Sequence, residues 1–228
     1  MILAAGRGER MRPLSDRVPK PLLRVGGRPL IAHLIGRLAR AGFTDVVVNI
    51  SHLAGLIEHE LGDGSNLGVR LVYSHEEQAL ETGGGIAYAL PLLGGAPFVA
   101  VNSDIYCDFD FARLAPVETA LARGALAAHL VLVDNPPHHP EGDFCLREEK
   151  VSADPGGPRL TFSGIGVYAP ALFAPVVRGT KHQLAALLKP EMARSRVTGE
   201  HHRGLWTDVG TPQRLADLDR MLDPARRD

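Results

Sequence analysis

Met1-Ile2-Leu3-Ala4-Ala5-Gly6-Arg7-Gly8-Glu9-Arg10-Met11 opens the chain, and Pro19-Lys20-Pro21 follows it. Residues 2–5 are an apolar run of the length of one short buried strand, and they lead straight into a turn with two glycines. A strand ending in such a turn is the beginning of an α/β unit. Main-chain N–H groups with no side chain in the way can close on a polyphosphate. Arg7 and Arg10 put cations on the turn, and Lys20, held between two prolines, adds another with little conformational freedom. An anion site at the end of a first strand suits a nucleotide.

The dinucleotide fingerprint G-x-G-x-x-G is the obvious competitor. Gly6 and Gly8 satisfy its first two glycines, but Met11 occupies the third position. The acidic residue expected about 20 residues further on is replaced by basic residues, Lys20 and Arg24. A nicotinamide-binding module is therefore disfavoured.

Outward from this stretch, strand and helix signals alternate. Helical apolar spacing covers residues 30–41 and stops at Gly42. A β-branched strand follows at 45–50, a helix at 53–61 ending at Gly62, a strand at 69–73, a helix at 86–93 and a strand at 98–101. This alternation predicts an α/β fold, a mainly parallel central sheet with helices on both faces. The second half is less regular: strands at 127–133, 144–151 and 162–168, the last after the turn 154–158, predict antiparallel additions. Helices at 183–193 and 213–222 close the chain. One domain over 1–228 is the simplest count.

Composition sets broad limits. The chain has 228 residues, 45% apolar and 22% charged, with net charge −1. That suits a chain with a sizeable core and gives no basic bias toward nucleic acid or anionic membrane. No apolar run is long enough to span a bilayer. The start lacks the basic segment of a signal peptide, and its apolar run breaks at Gly6 and Arg7. Cys107 and Cys145 are isolated, which suits a reducing cytoplasm better than a disulfide framework. The histidine pairs His138-His139 and His201-His202 have no Cys or His partner at zinc-ligand spacing. No protein partner is evident from the sequence.

Leu3-Ala4-Ala5-Gly6-Arg7-Gly8-Glu9-Arg10-Met11 with Pro19-Lys20-Pro21 resembles the start of the sugar-1-phosphate nucleotidyltransferases. Glu9 stands where that pattern has Ser or Thr, and a carboxylate beside an anion site is expected to point away. Over nearly the whole chain the resemblance extends to the bacterial N-acetylmuramate 1-phosphate uridylyltransferases of cell-wall recycling. It is carried by Gly8-Glu9-Arg10-Met11, Glu81-Thr82-Gly83-Gly84-Gly85-Ile86, Gly142-Asp143-Phe144, Thr161-Phe162-Ser163-Gly164 and Trp206-Thr207-Asp208-Val209-Gly210-Thr211. The resemblance implies transfer of UMP from UTP to N-acetylmuramate 1-phosphate, with release of pyrophosphate and formation of UDP-N-acetylmuramate.

Such a reaction joins two anions, so cations and a hard metal ion such as Mg²⁺ are the expected means of catalysis. Asp104 follows the strand at 98–101, where ligands of parallel sheets gather, and resembles the family's first metal aspartate, although Ser103 precedes it in place of glycine. Asp208 resembles the second. Arg10 is expected to hold the leaving pyrophosphate by its planar fork, and Lys20 to act as a point charge where the phosphates meet. With Asp104 and Asp208 they form the expected catalytic set. Ala4, Ala5, Gly6, Arg7, Gly8 and Glu9 complete the phosphate loop. Glu81, Thr82 and Gly83 are expected to read the base, because bare backbone at a helix start can approach a flat ring. Asp143, Ser163, Gly164 and Lys150 are the expected sugar contacts.

A mannose-1-phosphate guanylyltransferase, or another hexose-1-phosphate enzyme, would share the phosphate machinery and differ in its base and sugar pockets. A nucleotide-sensing regulatory subunit would keep the fold and lose a phosphate cation or metal aspartate. Arg10, Lys20, Asp104 and Asp208 are all present.

Overall fold

The computed structural model describes residues 1–154 and 156–223, so Pro155 of the turn expected at 154–158 lies outside the described residues. The first half contains β1 (Ile2–Leu3), β2 (Arg24–Val25), β3 (Arg28–Pro29), α1 (Leu30–Arg40), β4 (Asp45–Ile50), α2 (Ala54–Leu61), β5 (Arg70–His75) and α3 (Glu81–Leu93). Then come β6 (Phe98–Asn102), β7 (Ile105–Cys107), α4 (Ala115–Ala122), β8 (Ala128–Val133), β9 (Phe144–Arg147) and β10 (Lys150–Ser152). Last are β11 (Arg159–Tyr168), α5 (Leu184–Ala193), β12 (Val197–His202), β13 (Trp206–Asp208) and α6 (Pro212–Leu222). These elements fall into two units interleaved along the chain.

One unit comprises residues 2–79, 102–110 and 205–223. Its strands run β5-β4-β1, all parallel, with Ile2 opposite Val48 and Val48 opposite Tyr73. Val46, Val47, Val48 and Ile50 are buried, as a covered parallel strand requires. Helix α1 buries Leu30, Ile31, Leu34, Ile35 and Leu38, the stripe its helical period creates. Gly42, at φ +91°, carries the chain out of that helix in a left-handed conformation. Met11, Leu23, Val25, Leu30, Val209, Leu218 and Leu222 form one buried cluster. Met11 is completely buried there, an anchor contributing about 1.5–3 kcal/mol for a side chain of its size. The N-terminal loop is thereby fastened to α1 and α6.

The other unit comprises residues 1, 80–101 and 111–204. Its strands run β6-β11-β8-β12-β10-β9. Strand β11 is antiparallel to β6 and β8, β12 is parallel to β8, and β9 and β10 form an antiparallel hairpin. All six residues of β8 are buried. The antiparallel character expected of the second half is present.

Three elements differ from their sequence signals. Strand β1 stops at Leu3, because the Ala4 N–H is taken by a side chain, the Asn49 carboxamide, at 2.7 Å. The strand expected at 144–151 is a hairpin turning on Glu148 and Glu149, at φ +47° and +64°. Such a turn ordinarily announces itself with Asn or Gly. Helix α3 begins at Glu81, five residues ahead of the apolar period at 86. Its glycines are poor helix formers, and tertiary packing overrides that propensity.

Candidate active site

The chain leaves β1 through Ala4 and Ala5, both buried, into exposed Gly6 and Arg7. Nothing lies within 4 Å of where a Gly6 side chain would begin, so its backbone faces open space. Gly8 adopts φ +64°, and its carbonyl accepts hydrogen bonds from the Met11 N–H and the Ser15 hydroxyl, both at 2.8 Å. A Cβ at Gly8 would stand 3.2 Å from the Cβ of Lys20, tighter than ordinary packing. Glycine here lets the loop lie on the lysine stem. Glu9 and Arg10 follow in a short 3-10 turn and are exposed, while Met11 plunges into the core. Arg10 makes no ion pair among the described residues, which leaves its guanidinium available to an anion.

Lys20 begins another 3-10 turn between Pro19 and Pro21, both buried. The prolines fix the backbone, and the Lys20 side chain, 12% exposed, forms an ion pair with Asp104. Asp104 lies in the turn between β6 and β7. Strand β7 pairs antiparallel with β13, setting Asp208 opposite Ile105, and the Val209 N–H donates to the Asp104 carbonyl at 2.7 Å. The two aspartates thus occupy neighbouring positions on adjoining chain segments. Asp208 accepts from the Arg214 guanidinium, Nη1 to Oδ1, at 2.9 Å. Cys107, also in β7, has its thiol pushed above its ordinary range by burial, so it behaves as a small apolar residue.

Two further residues support the loop without any motif to announce them. Asn49 is buried, accepts from the Ala4 N–H and donates from its amide to Glu76 Oε1 at 2.6 Å. Glu76, also buried, is tied at its main-chain N–H to the Ile50 carbonyl at 2.8 Å. This chain of bonds fixes the point where the glycine loop 6–8 leaves β1. Only a polar residue ending the apolar run 46–48 hinted at it.

In the other unit, Glu81 starts α3 at φ +61° and is exposed, Thr82 is partly exposed, and Gly83 to Gly85 are buried. A Cβ at Gly83 would stand 2.8 Å from the His182 carbonyl, and one at Gly84 2.3 Å from that of Thr180. The bare backbone at Gly83 and Gly84 is therefore occupied by the segment 180–184, and Glu81 and Thr82 keep the accessible surface. Asp143 receives the Phe162 N–H at 2.8 Å on one oxygen and lies 3.1 Å from the His139 ring on the other. Ser163 is 1% exposed; its hydroxyl donates to the Val131 carbonyl at 2.7 Å and accepts from the Ile165 N–H at 3.2 Å. With Gly164 at φ +82°, it forms the irregularity that shifts register between Phe162 and Ile165. The geometry gives Ser163 and Gly164 the task of shaping β11. Lys150 is exposed at the start of β10.

Residues 1–144 match the family described as Nucleotidyl transferase. The chain is 52% identical over 225 residues to N-acetylmuramate alpha-1-phosphate uridylyltransferase of Neisseria meningitidis serogroup B, covering 97% of this chain and 96% of that protein. The chain belongs to the nucleotidyl transferase family. The Caulobacter vibrioides protein of the same name is 37% identical over 235 residues, 98% of this chain and 96% of its own. A solved Bacillus anthracis structure, described as a glucose-1-phosphate thymidylyltransferase, superposes with a TM-score of 0.82 at 21% identity, covering 98% and 94% of the two chains. That likeness establishes the nucleotidyl transferase fold.

For a nucleotidyl transferase, the carboxylates of Asp104 and Asp208 are suitable donors. Among the described residues, no three His, Cys, Asp or Glu side chains gather as a metal cluster. Two hard oxygen donors are what Mg²⁺ takes from a protein when substrate phosphates and waters complete its octahedron. No helix among the described residues is long and apolar enough to cross a membrane.

Proposed function

We propose that this nucleotidyl transferase transfers UMP from UTP to N-acetylmuramate 1-phosphate, with Mg²⁺ as cofactor, in the cytoplasm. One observation carries the choice of substrates: 52% identity, over nearly the full length of both chains, to a protein named for that reaction. The two free cysteines, both buried, are compatible with a reducing compartment.

In the proposed reaction a phosphate oxygen of the sugar 1-phosphate attacks the α-phosphorus of UTP. The bond from that phosphorus to the bridging oxygen of the β-phosphate breaks, and pyrophosphate leaves. Both reactants are anions, so placement and charge compensation dominate. The open backbone of Gly6 and the left-handed Gly8 turn cradle the triphosphate. Arg10, exposed and free of ion pairs among the described residues, binds the leaving pyrophosphate by its planar fork. Lys20, on its proline-fixed turn, holds a positive charge at the reacting phosphates. Asp104 and Asp208 would hold Mg²⁺, which when bound neutralises charge between the two phosphates. Glu81 and Thr82 supply the accessible contacts to the base, and Lys150 and Asp143 the contacts to the sugar.

The test is a panel of four nucleoside triphosphates against several sugar 1-phosphates, scored by pyrophosphate release. UTP with N-acetylmuramate 1-phosphate is expected to give the highest kcat/KM, and Mg²⁺ removal by chelation to abolish turnover. A preference for GTP with mannose 1-phosphate would overturn the substrate reading and leave the phosphate machinery intact.

A further inference from the structure

We propose that Arg214 is a positioning residue for Asp208, holding its carboxylate in the one orientation that serves a divalent cation. This rests on the reading of Asp208 as a metal ligand.

Thr211 caps α6, its hydroxyl accepting the Arg214 N–H at 3.3 Å, with Pro212 in the first turn. Arg214 therefore occupies the third helical position. There a capping box would place Glu or Gln, whose carboxyl or amide reaches back to the cap. A cation in the first turn also opposes the helix dipole. Neither the capping box nor the helix dipole accounts for a cation at this position, and its ion pair with Asp208 does. Its Nη1 donates to Asp208 Oδ1 at 2.9 Å, and the two side chains are only 16% and 19% exposed. That is more sheltered than a surface ion pair and correspondingly less screened.

The path of the guanidinium explains Gly210. A Cβ at Gly210 would stand 2.1 Å from Arg214 Nη2 and 3.0 Å from Asp208 Oδ2. Gly210 lies outside the left-handed region, so an alanine would suit its backbone. The missing side chain is needed because the guanidinium lies across that spot to reach the carboxylate. Asp208, Gly210 and Arg214 therefore act together: the glycine opens the path, the arginine takes it, and the aspartate is oriented. Hydrogen bonds of this kind to a ligating carboxylate commonly govern metal affinity, by about 10–100-fold when removed.

The test measures Mn²⁺ binding by electron paramagnetic resonance, in the presence of a non-cleavable UTP analogue, for the parent, Arg214→Met, Arg214→Lys, Gly210→Ala and Asp208→Asn. Arg214→Met and Gly210→Ala are each expected to weaken Mn²⁺ binding about 10-fold or more. KM for the sugar phosphate should stay the same, and the melting temperature should move by no more than a few degrees. Arg214→Lys should recover part of the affinity, and Gly210→Ala combined with Arg214→Met should be no worse than either alone. A merely structural arginine would instead lower the melting temperature and leave Mn²⁺ binding unmoved. Should Arg214→Met fail to fold, Gly210→Ala, which keeps the cation, decides in the same way. Unchanged or tighter Mn²⁺ binding in Arg214→Met and Gly210→Ala, with binding lost in Asp208→Asn, overturns the positioning role and leaves the metal role of Asp208 standing. Parental binding in Asp208→Asn removes the metal reading, and the proposal with it.

Discussion

Lys20 and Asp104, 84 residues apart in sequence, form an ion pair in which the lysine stem lies beneath the Gly8 turn. One lysine thus joins the Gly8 loop to the carboxylate proposed as a metal ligand. Its two prolines are buried rather than ornamental, and they hold the backbone from which this reach is made.

Lys20→Ala is expected to lower kcat/KM by about 10²-fold or more, the scale of one lost electrostatic stabiliser. The melting temperature should change little, since the lysine leaves no deeply buried charge behind. Turnover close to the parent would sink the role assigned to Lys20.

Arg10→Lys should fold like the parent, because Arg10 is exposed and makes no ion pair among the described residues. Most activity should nevertheless be lost, as a point charge cannot reproduce the planar fork. Steady-state rates at saturating UTP, alongside thermal melts, decide the matter; a fully active, stable Arg10→Lys contradicts bidentate pyrophosphate binding.

Asp104→Asn and Asp208→Asn should each abolish most Mg²⁺-dependent turnover. The double variant should be scarcely worse than the poorer single, because both remove one functional unit. Additive losses would mean that the two carboxylates work independently.

Asn49→Ala should weaken the loop from behind. It leaves the Ala4 N–H and the buried Glu76 carboxylate each without their Asn49 bond, a cost of about 1–3 kcal/mol for a buried polar group deprived of its partner. Thermal melts should show the loss, and KM for UTP should rise more than KM for the sugar phosphate. An equal rise in both would argue that Asn49 supports the fold generally rather than the loop.

Acid stability should depend on Glu200. The His129 ring, 3.6 Å away, the Arg113 guanidinium at 2.6 Å and nearby His202 hold its carboxyl below its ordinary value of 4.5. A carboxyl depressed in the folded state contributes stability that is complete above its unfolded value and disappears as pH falls through its folded one. Glu200→Gln should therefore lower the melting temperature at pH 7 and reduce the further fall on going below pH 4.5. A parallel pH profile for parent and variant would rule this out.

Much of the architecture was legible because it depends on periodicity within short windows. The strand at 45–50 has the bounds expected, α1 ends one residue early, and Gly62 stops α2 as its position implied. Local signals misled where one long-range contact outweighed them. Gly83 read as bare backbone offered to a base, yet the segment 180–184 lies against it. Glu148-Glu149 carries no turn signature and still turns a hairpin, because β9 and β10 pair on either side of it. Ser163 read as a pocket residue and is instead bonded inside the sheet.

By itself, the sequence determined the chemistry available: a glycine turn after a strand, cations at Arg10 and Lys20, and aspartates after an apolar run and within Trp206-Thr207-Asp208. Those are properties of neighbouring residues, written in composition and spacing. Tertiary structure alone decided which distant groups meet. The pairing of β7 with β13 brings Asp104 beside Asp208, the ion pair joins Lys20 to Asp104, and helix α6 delivers Arg214 across Gly210. Asn49 and Glu76 close behind the loop only because parallel strands β1, β4 and β5 lie side by side. Convergence of this kind follows from strand register and core packing, which sum weak contacts over the whole chain and leave no mark in any short stretch of it.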